Sequence, residues 1–154
     1  RVAHTFEMKN WYIRPMVDGT VNYVRAQGFT ESGAGGANLR VDGNDHTTVS
    51  VTPALQAGGE ISFDKGILAR PYLRAGFLHI FSGTDAKLTA SFEGAPAGVP
   101  PFTVASKLEN NMADISAGFD LFTAHNMILK FDYNGLYSDK FSSYKVSFKL
   151  AYPF

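Results

Sequence analysis

Cysteine is absent from this 154-residue chain, which removes both a disulfide framework and any thiolate metal site. No stretch approaches the roughly 18 consecutive apolar residues that a membrane-crossing helix needs, so a helical span is excluded. Charge of one sign is also missing, since 14 Lys and Arg balance 14 Asp and Glu. Without a whole-chain field, nucleic acid is not expected as a partner. The histidines, His4, His46, His79 and His125, stand apart with no ligand spacing, so no metal and no cofactor is expected. A Gly-x-Ser-x-Gly elbow is lacking, and Gly33-Ala34-Gly35-Gly36 is not followed by the Gly-Lys-Ser of a phosphate loop. That run reads as a flexible loop. No catalytic residue is assigned, and the chain is not expected to be an enzyme. No charged-then-apolar leader opens the sequence, and the start at Arg1 without Met reads as a mature, cleaved or truncated product.

What the sequence does have is aromatic side chains, 14% of its residues, and alternation with a period of two. Over residues 46–63, Val49, Val51, Pro53, Leu55, Ala57, Ile61 and Phe63 share one face, opposite Thr48, Ser50, Thr52, Gln56, Glu60 and Ser62. Trp11, Ile13, Pro15, Val17 and Val21 likewise oppose Tyr12, Arg14, Asp18, Thr20 and Asn22, until the period slips after Tyr23, as at a bulge. Leu73, Ala75, Phe77 and Phe81 oppose Arg70, Tyr72, Arg74 and Gly76. Ala113, Ile115, Ala117, Phe119 and Leu121 oppose Asp114, Ser116, Gly118 and Asp120, and Leu129, Phe131, Tyr133 and Tyr137 oppose Lys130, Asp132, Asn134 and Ser138. With a short opening strand over residues 2–9 and a final one, the total is about seven strands.

Tight turns fall near Asn10, over residues 64–66 and over residues 123–126, where Gly, Asn and Asp tolerate the backbone. Longer connections cover residues 33–45 and 83–110, with a shorter one over 139–143, and the two kinds alternate. Short turns at one rim and long loops at the other is the asymmetry of outer-membrane barrels, whose strands cross lipid in about 9 to 11 residues. The 83–110 connection admits two readings: a hairpin extending two strands past the membrane, or a mobile surface loop. Leu88, Ala90 and Phe92 precede Gly94-Ala95-Pro96, and Phe102 and Val104 follow Pro100-Pro101.

The last strand sets Val146, Phe148, Leu150, Tyr152 and Phe154 against Lys145, Ser147 and Lys149, and its apolar face runs to the final residue. Soluble domains usually end in frayed polar residues. An aromatic terminus has two readings: the signal used by outer-membrane assembly machinery, with Phe148, Leu150, Tyr152 and Phe154 its candidates, or an edge strand covering a soluble core. The polar face carries Arg14, Asp18, Glu60, Arg74, Asp114, Lys130 and Asp132, with Gln56, Arg70, Asp120, Lys145 and Lys149 alongside. This face reads either as a hydrated conduit or as a lumen filled with stabilising ion pairs. Trp11, Phe63, Phe119, Tyr152 and Phe154 suit an aromatic belt at the short-turn rim, and Tyr23, Phe29, Phe81 and Tyr137 one at the other. The fold expected is all-β: a transmembrane, antiparallel, up-and-down β-barrel.

Three stretches resemble a known family. Arg70-Pro71-Tyr72-Leu73-Arg74-Ala75-Gly76-Phe77-Leu78-His79, the end over residues 145–154, and Trp11-Tyr12-Ile13-Arg14-Pro15 are similar to strands of autotransporter translocator domains, of type V secretion. The chain differs from that pattern at Lys149, where Gly is usual, at Pro153, and at Ile80, where an acid is common. The resemblance implies one domain over residues 1–154, the C-terminal part of a barrel of about twelve strands closing around a helix, with that helix and the first strands either preceding Arg1 or supplied by another chain. It implies a location in the outer membrane of a Gram-negative bacterium, among lipids and lipopolysaccharide. The implied partners are periplasmic chaperones, the assembly machinery and an N-terminal passenger that the barrel anchors and exports. In some members the passenger is cleaved inside the lumen with the help of barrel carboxylates, for which Asp18 or Glu60 would serve. Two alternatives stand beside this: a small porin-like or adhesin-like barrel that binds through its long loops, and a soluble lipocalin-like ligand carrier whose apolar face points inward.

Overall fold

The computed structural model describes residues 1–123 and 127–152. Its strands are β1 (Val2–Ala3), β2 (Phe6–Met8), β3 (Trp11–Ala26), β4 (Phe29–Thr30), β5 (Leu39–Val41), β6 (Asn44–Gly59), β7 (Ile61–Phe63), β8 (Ile67–Ser82), β9 (Asp85–Phe92), β10 (Phe102–Lys107), β11 (Asn111–Phe122), β12 (Ile128–Tyr137) and β13 (Ser142–Ala151). Two short 3-10 turns, Gly35–Ala37 and Asp64–Gly66, are the only helical elements among the described residues. The predicted all-β, antiparallel class is what the chain adopts.

The larger sheet runs in the order β1-β3-β6-β8-β11-β12-β13, with β2 beside β3 and β7 beside β8. Sequence neighbours pair in this sheet, as in an up-and-down arrangement. Among the described residues no pairing joins β1 to β13, so the sheet has two free edges. Two compact units are distinguished: Arg1–Gly19, Val51–His79 and Glu109–Phe154 form the first, and Thr20–Ser50 and Ile80–Leu108 form the second. Three of their four boundaries fall within β3, β6 and β8, and the fourth lies between β10 and β11.

In the first unit the opening strand is interrupted for a chemical reason. Val2 pairs with Val17 and Phe6 with Ile13, one continuous register that puts His4 opposite Pro15. Pro15 has no N–H to return, so only the His4 N–H to Pro15 C=O bond of that pair forms, at 3.1 Å. Pro71 is accommodated similarly. Extending the Ile61–Ala69 register by two residues puts Pro71 opposite Gly59, beside the break between β6 and β7 at Glu60.

Exposure in this unit runs opposite to that of a soluble core. The apolar side is the open one, with Leu73 57% and Phe77 50% exposed, while Met16, Thr52, Met112 and Ser116 on the polar side are buried. Among the described residues no large side chain is fully buried. An inward-pointing apolar face, as the lipocalin-like alternative requires, is therefore not what the strands build.

The second unit contains a four-stranded antiparallel sheet, ordered β10-β9-β5-β4. Of the two readings of the 83–110 connection the hairpin is observed, with Phe102 opposite Ala90 and Val104 opposite Leu88. The glycine run expected to be a flexible loop is instead tied down. Asn38 accepts from the Ala34 N–H at 2.9 Å and donates to Glu93 at 2.9 Å, while the Glu93 and Gly94 N–H groups bond to the carbonyls of Asn38 and Gly36. The sequence offered no sign of Glu93 as the distant partner of Asn38.

Candidate functional site: the charged face

Each polar side chain reaches this face by parity. In the β8–β11 register Ser116 stands opposite Arg74, Gly118 opposite Tyr72 and Asp120 opposite Arg70. In the β11–β12 register Asp120 stands opposite Lys130, Gly118 opposite Asp132 and Ser116 opposite Asn134. Directly opposed residues share a face, so β8, β11 and β12 place their charges side by side within bonding reach of one another.

Arg74 is the centre of the best-enclosed group. Its guanidinium donates one N–H to Asp114 at 2.6 Å and another to Asp18 at 3.3 Å. Only 12% of its side chain is exposed, and 19% of each carboxylate. Asp18 also receives two bonds from Arg1, at 2.5 and 2.9 Å. Arginine suits this bridging position because its planar fork serves two carboxylates at once, which a lysine point charge would do less well. The Arg74 Nε has no partner among the described residues.

Nearer the short turns the pairs are more open. Arg70 donates to Glu60 at 2.9 Å and Lys130 to Asp120 at 2.6 Å. Arg14 donates to Thr5 at 2.9 Å and lies over the Tyr12 ring. Tyr12, Arg14, Glu60, Arg70 and Asp120 help line a recess of about 540 Å³. Exposed pairs such as these contribute little stability each, about 0 to 1 kcal/mol, but they leave few charges uncompensated.

Two tyrosines on this face were not singled out from the sequence. Tyr72 donates to Asp132 at 2.7 Å and its ring lies against Gly118, while Tyr12 accepts from Gln56 at 2.6 Å and its ring lies against Gly58. A Cβ on either glycine would run into the tyrosine ring. The signal was available: both tyrosines fall on the polar parity, and glycines sit at polar-face positions of neighbouring strands.

Of the expected site residues, Asp18, Arg74 and Asp114 come together, as do Lys130 with Asp120 and Asp132 with Tyr72. Arg14 and Glu60 belong to the recess and not to the Arg74 group. Phe148 and Leu150 lie on the apolar side of β13, opposite Phe131 and Leu129, and Tyr152 is exposed just beyond the strand. Phe154 and His125 lie outside the described residues. No cluster of His, Asp and Glu among the described residues is arranged to hold a metal.

A polar wall of mixed, mutually paired charges backed by an apolar, exposed side is what a membrane barrel strand presents. The family model that matches this chain is the autotransporter beta-domain, over residues 1–134. The chain belongs to the autotransporter beta-domain family. Neither a curated protein nor a solved structure matches it. Autotransporter beta-domains are outer-membrane β-barrels of Gram-negative bacteria and act as translocators in type V secretion. That is the family expected from Trp11–Ala26 and Ile67–Ser82, the strands that carry two of the resembling stretches. The matched residues end at Asn134, before β13. Membership also accounts for the absence, among the described residues, of any helix long and apolar enough to cross a membrane, because barrels cross with strands.

Proposed function

We propose that this autotransporter beta-domain resides in the outer membrane of its Gram-negative host, anchors an N-terminally attached passenger and conveys it across that membrane. The charged face is the lumen wall. Its ion pairs keep Arg74, Arg70 and Lys130 bound to the barrel's own carboxylates, so they offer a passing polypeptide few free charges of one sign to adhere to. The apolar side faces lipid and lipopolysaccharide. Phe148, Leu150, Tyr152 and Phe154 form the signal by which the assembly machinery accepts the barrel from periplasmic chaperones. The domain itself carries out no bond chemistry. Asp18 is engaged by two arginines and Glu60 by one, which favours structural roles for both.

The observation that carries this reading is the inverted exposure of the first unit, open on its apolar side and charge-paired on its polar one, in a chain of this family. The test uses the full-length protein with an epitope placed in its N-terminal passenger. Protease added to intact cells should remove the epitope, while the barrel stays folded and migrates faster in gels when unheated. A folded barrel whose epitope remains shielded in the periplasm would refute export. It would favour the porin-like or adhesin-like alternative.

A further inference from the structure

β13 is an edge strand with an unbalanced charge. Its polar face presents Lys145, Ser147 and Lys149, opposite Asn134, Asp132 and Lys130 of β12. Lys149 therefore stands directly opposite another lysine, an unfavourable like-charge pairing. The acceptors that would compensate are already engaged elsewhere. Asp132 accepts from Tyr72 at 2.7 Å, Asn134 accepts from Ser116 at 3.0 Å, and Lys130 takes the carboxylate of Asp120. Among the described residues neither Lys145 nor Lys149 has a carboxylate within 4.0 Å. Both lie on a strand whose outer edge is unpaired.

We propose that the strand closing the barrel against β13 carries two carboxylates on its lumenal side, four residues apart, facing Lys145 and Lys149. The argument is charge complementarity. Antiparallel pairing puts lumenal residues of the partner directly across from 145, 147 and 149, at Cβ separations of about 5 Å, close enough for lysine to reach a carboxylate. The strand at the sheet's other edge does not meet this need. Residues 2–8 offer only Glu7, with Lys9 next on the same side, so they would bring a third lysine toward the two. Residues 2–8 are therefore not the partner, and because bacterial barrels of this kind close within a single chain, the occupant is a strand of the same polypeptide outside the thirteen described. This rests on the barrel reading but not on passenger export.

The experiment uses the full-length protein in the outer membrane with a photo-crosslinking p-benzoylphenylalanine at Ser147. Mass spectrometry of the crosslinked peptide should find a segment of the same chain, alternating apolar and polar, with Asp or Glu two residues to each side of the attachment point. A peptide lacking either carboxylate, a peptide from residues 2–8, one from another chain, or no crosslink in a heat-modifiable barrel overturns the proposal. The variant K145E, opposite the neutral Asn134 on β12, should lower the heat-modifiable fraction about threefold, a fall consistent with reversing one cross-strand pair. Lysine at the crosslinked acid that faces position 145 should then restore it. Loss without restoration overturns the proposal too. If the unmodified protein itself shows no heat-modifiable form, the barrel reading fails instead.

Discussion

The first unit's sheet and the second unit's four-stranded sheet are both written in period-two alternation, yet they use it in opposite ways. In the second, Phe29, Val41, Ala90 and Phe102 line up across all four strands, and the two central residues are buried. Its opposite side is served by hydroxyls, as where Thr89 meets Thr103 at 3.3 Å. In the first, the row through Leu73 and Ala117 is not buried, and the buried side chains belong to the polar side, where arginines meet carboxylates across strands. Alternation thus tells which residues share a face but not which face meets water. In the first unit the cross-strand charge pairs mark the polar side, because mutually bonded charges of both signs form the polar wall of a barrel strand.

The sharpest way to break this comparison is to place the same charge on both apolar faces. Leu73→Arg sits midway along the first unit's part of β8 and should cost about 2 to 4 kcal/mol, as arginine does on the lipid face near the midplane. The heat-modifiable form should be largely lost. Val104→Arg, on the same side of the second sheet as the buried Val41 and Ala90 but itself 57% exposed, should change stability by about 0.5 kcal/mol or less. Equal losses for the two would remove the distinction between the sheets. Next in size is Arg74→Met, which strands Asp114 and leaves Asp18 to Arg1 alone. Because the group is mostly enclosed, the expected cost is about 2 to 3 kcal/mol in urea unfolding from vesicles. Replacing Asp18 and Asp114 by Asn in the same variant should recover most of it, since the penalty lies in uncompensated charge. No recovery would mean that Arg74 contributes through packing and not through its charge.

Much of this was legible in the sequence, and the parts that were not share a cause. Parity alone assigned Arg14, Asp18, Glu60, Arg74, Asp114, Lys130 and Asp132 to one face, because a strand gives no other choice. Parity could not say that Arg74 bridges Asp18 and Asp114 while Arg70 goes to Glu60, since partner choice depends on register between strands far apart in sequence. It also gave one strand over residues 2–9 where there are two, because a proline in the neighbouring strand deletes a bond without disturbing the pattern of its partner. The 83–110 hairpin was half visible: Phe102 and Val104 alternate, but Pro100-Pro101 hides the pairing that Leu88 and Ala90 complete.

A smaller effect probes the second unit. Asn38→Ala removes the acceptor for Ala34 and the donor to Glu93, and should cost about 1 to 2 kcal/mol locally. Faster protease cleavage within residues 93–101, with heat-modifiability of the barrel unchanged, is the expected result. If heat-modifiable migration were lost as well, the two sheets would not be separable in stability.

The smallest and most selective change is Tyr72→Phe. The ring that lies against Gly118 is kept, so packing between β8 and β11 is preserved, and only the hydroxyl that donates to Asp132 disappears. Asp132 would then face Ser147 with no charged or tyrosyl donor. One neutral donor to a carboxylate is worth about 1 kcal/mol or slightly more, so the urea midpoint should fall modestly with the slope unchanged. Asp132→Asn in the same background should then add almost nothing, because the interaction it would weaken is already gone. A full additive loss in the double variant would show that Tyr72 and Asp132 stabilise the barrel separately. The tyrosine would in that case belong to the glycine packing alone, and the charged face would be less continuous than its hydrogen bonds indicate.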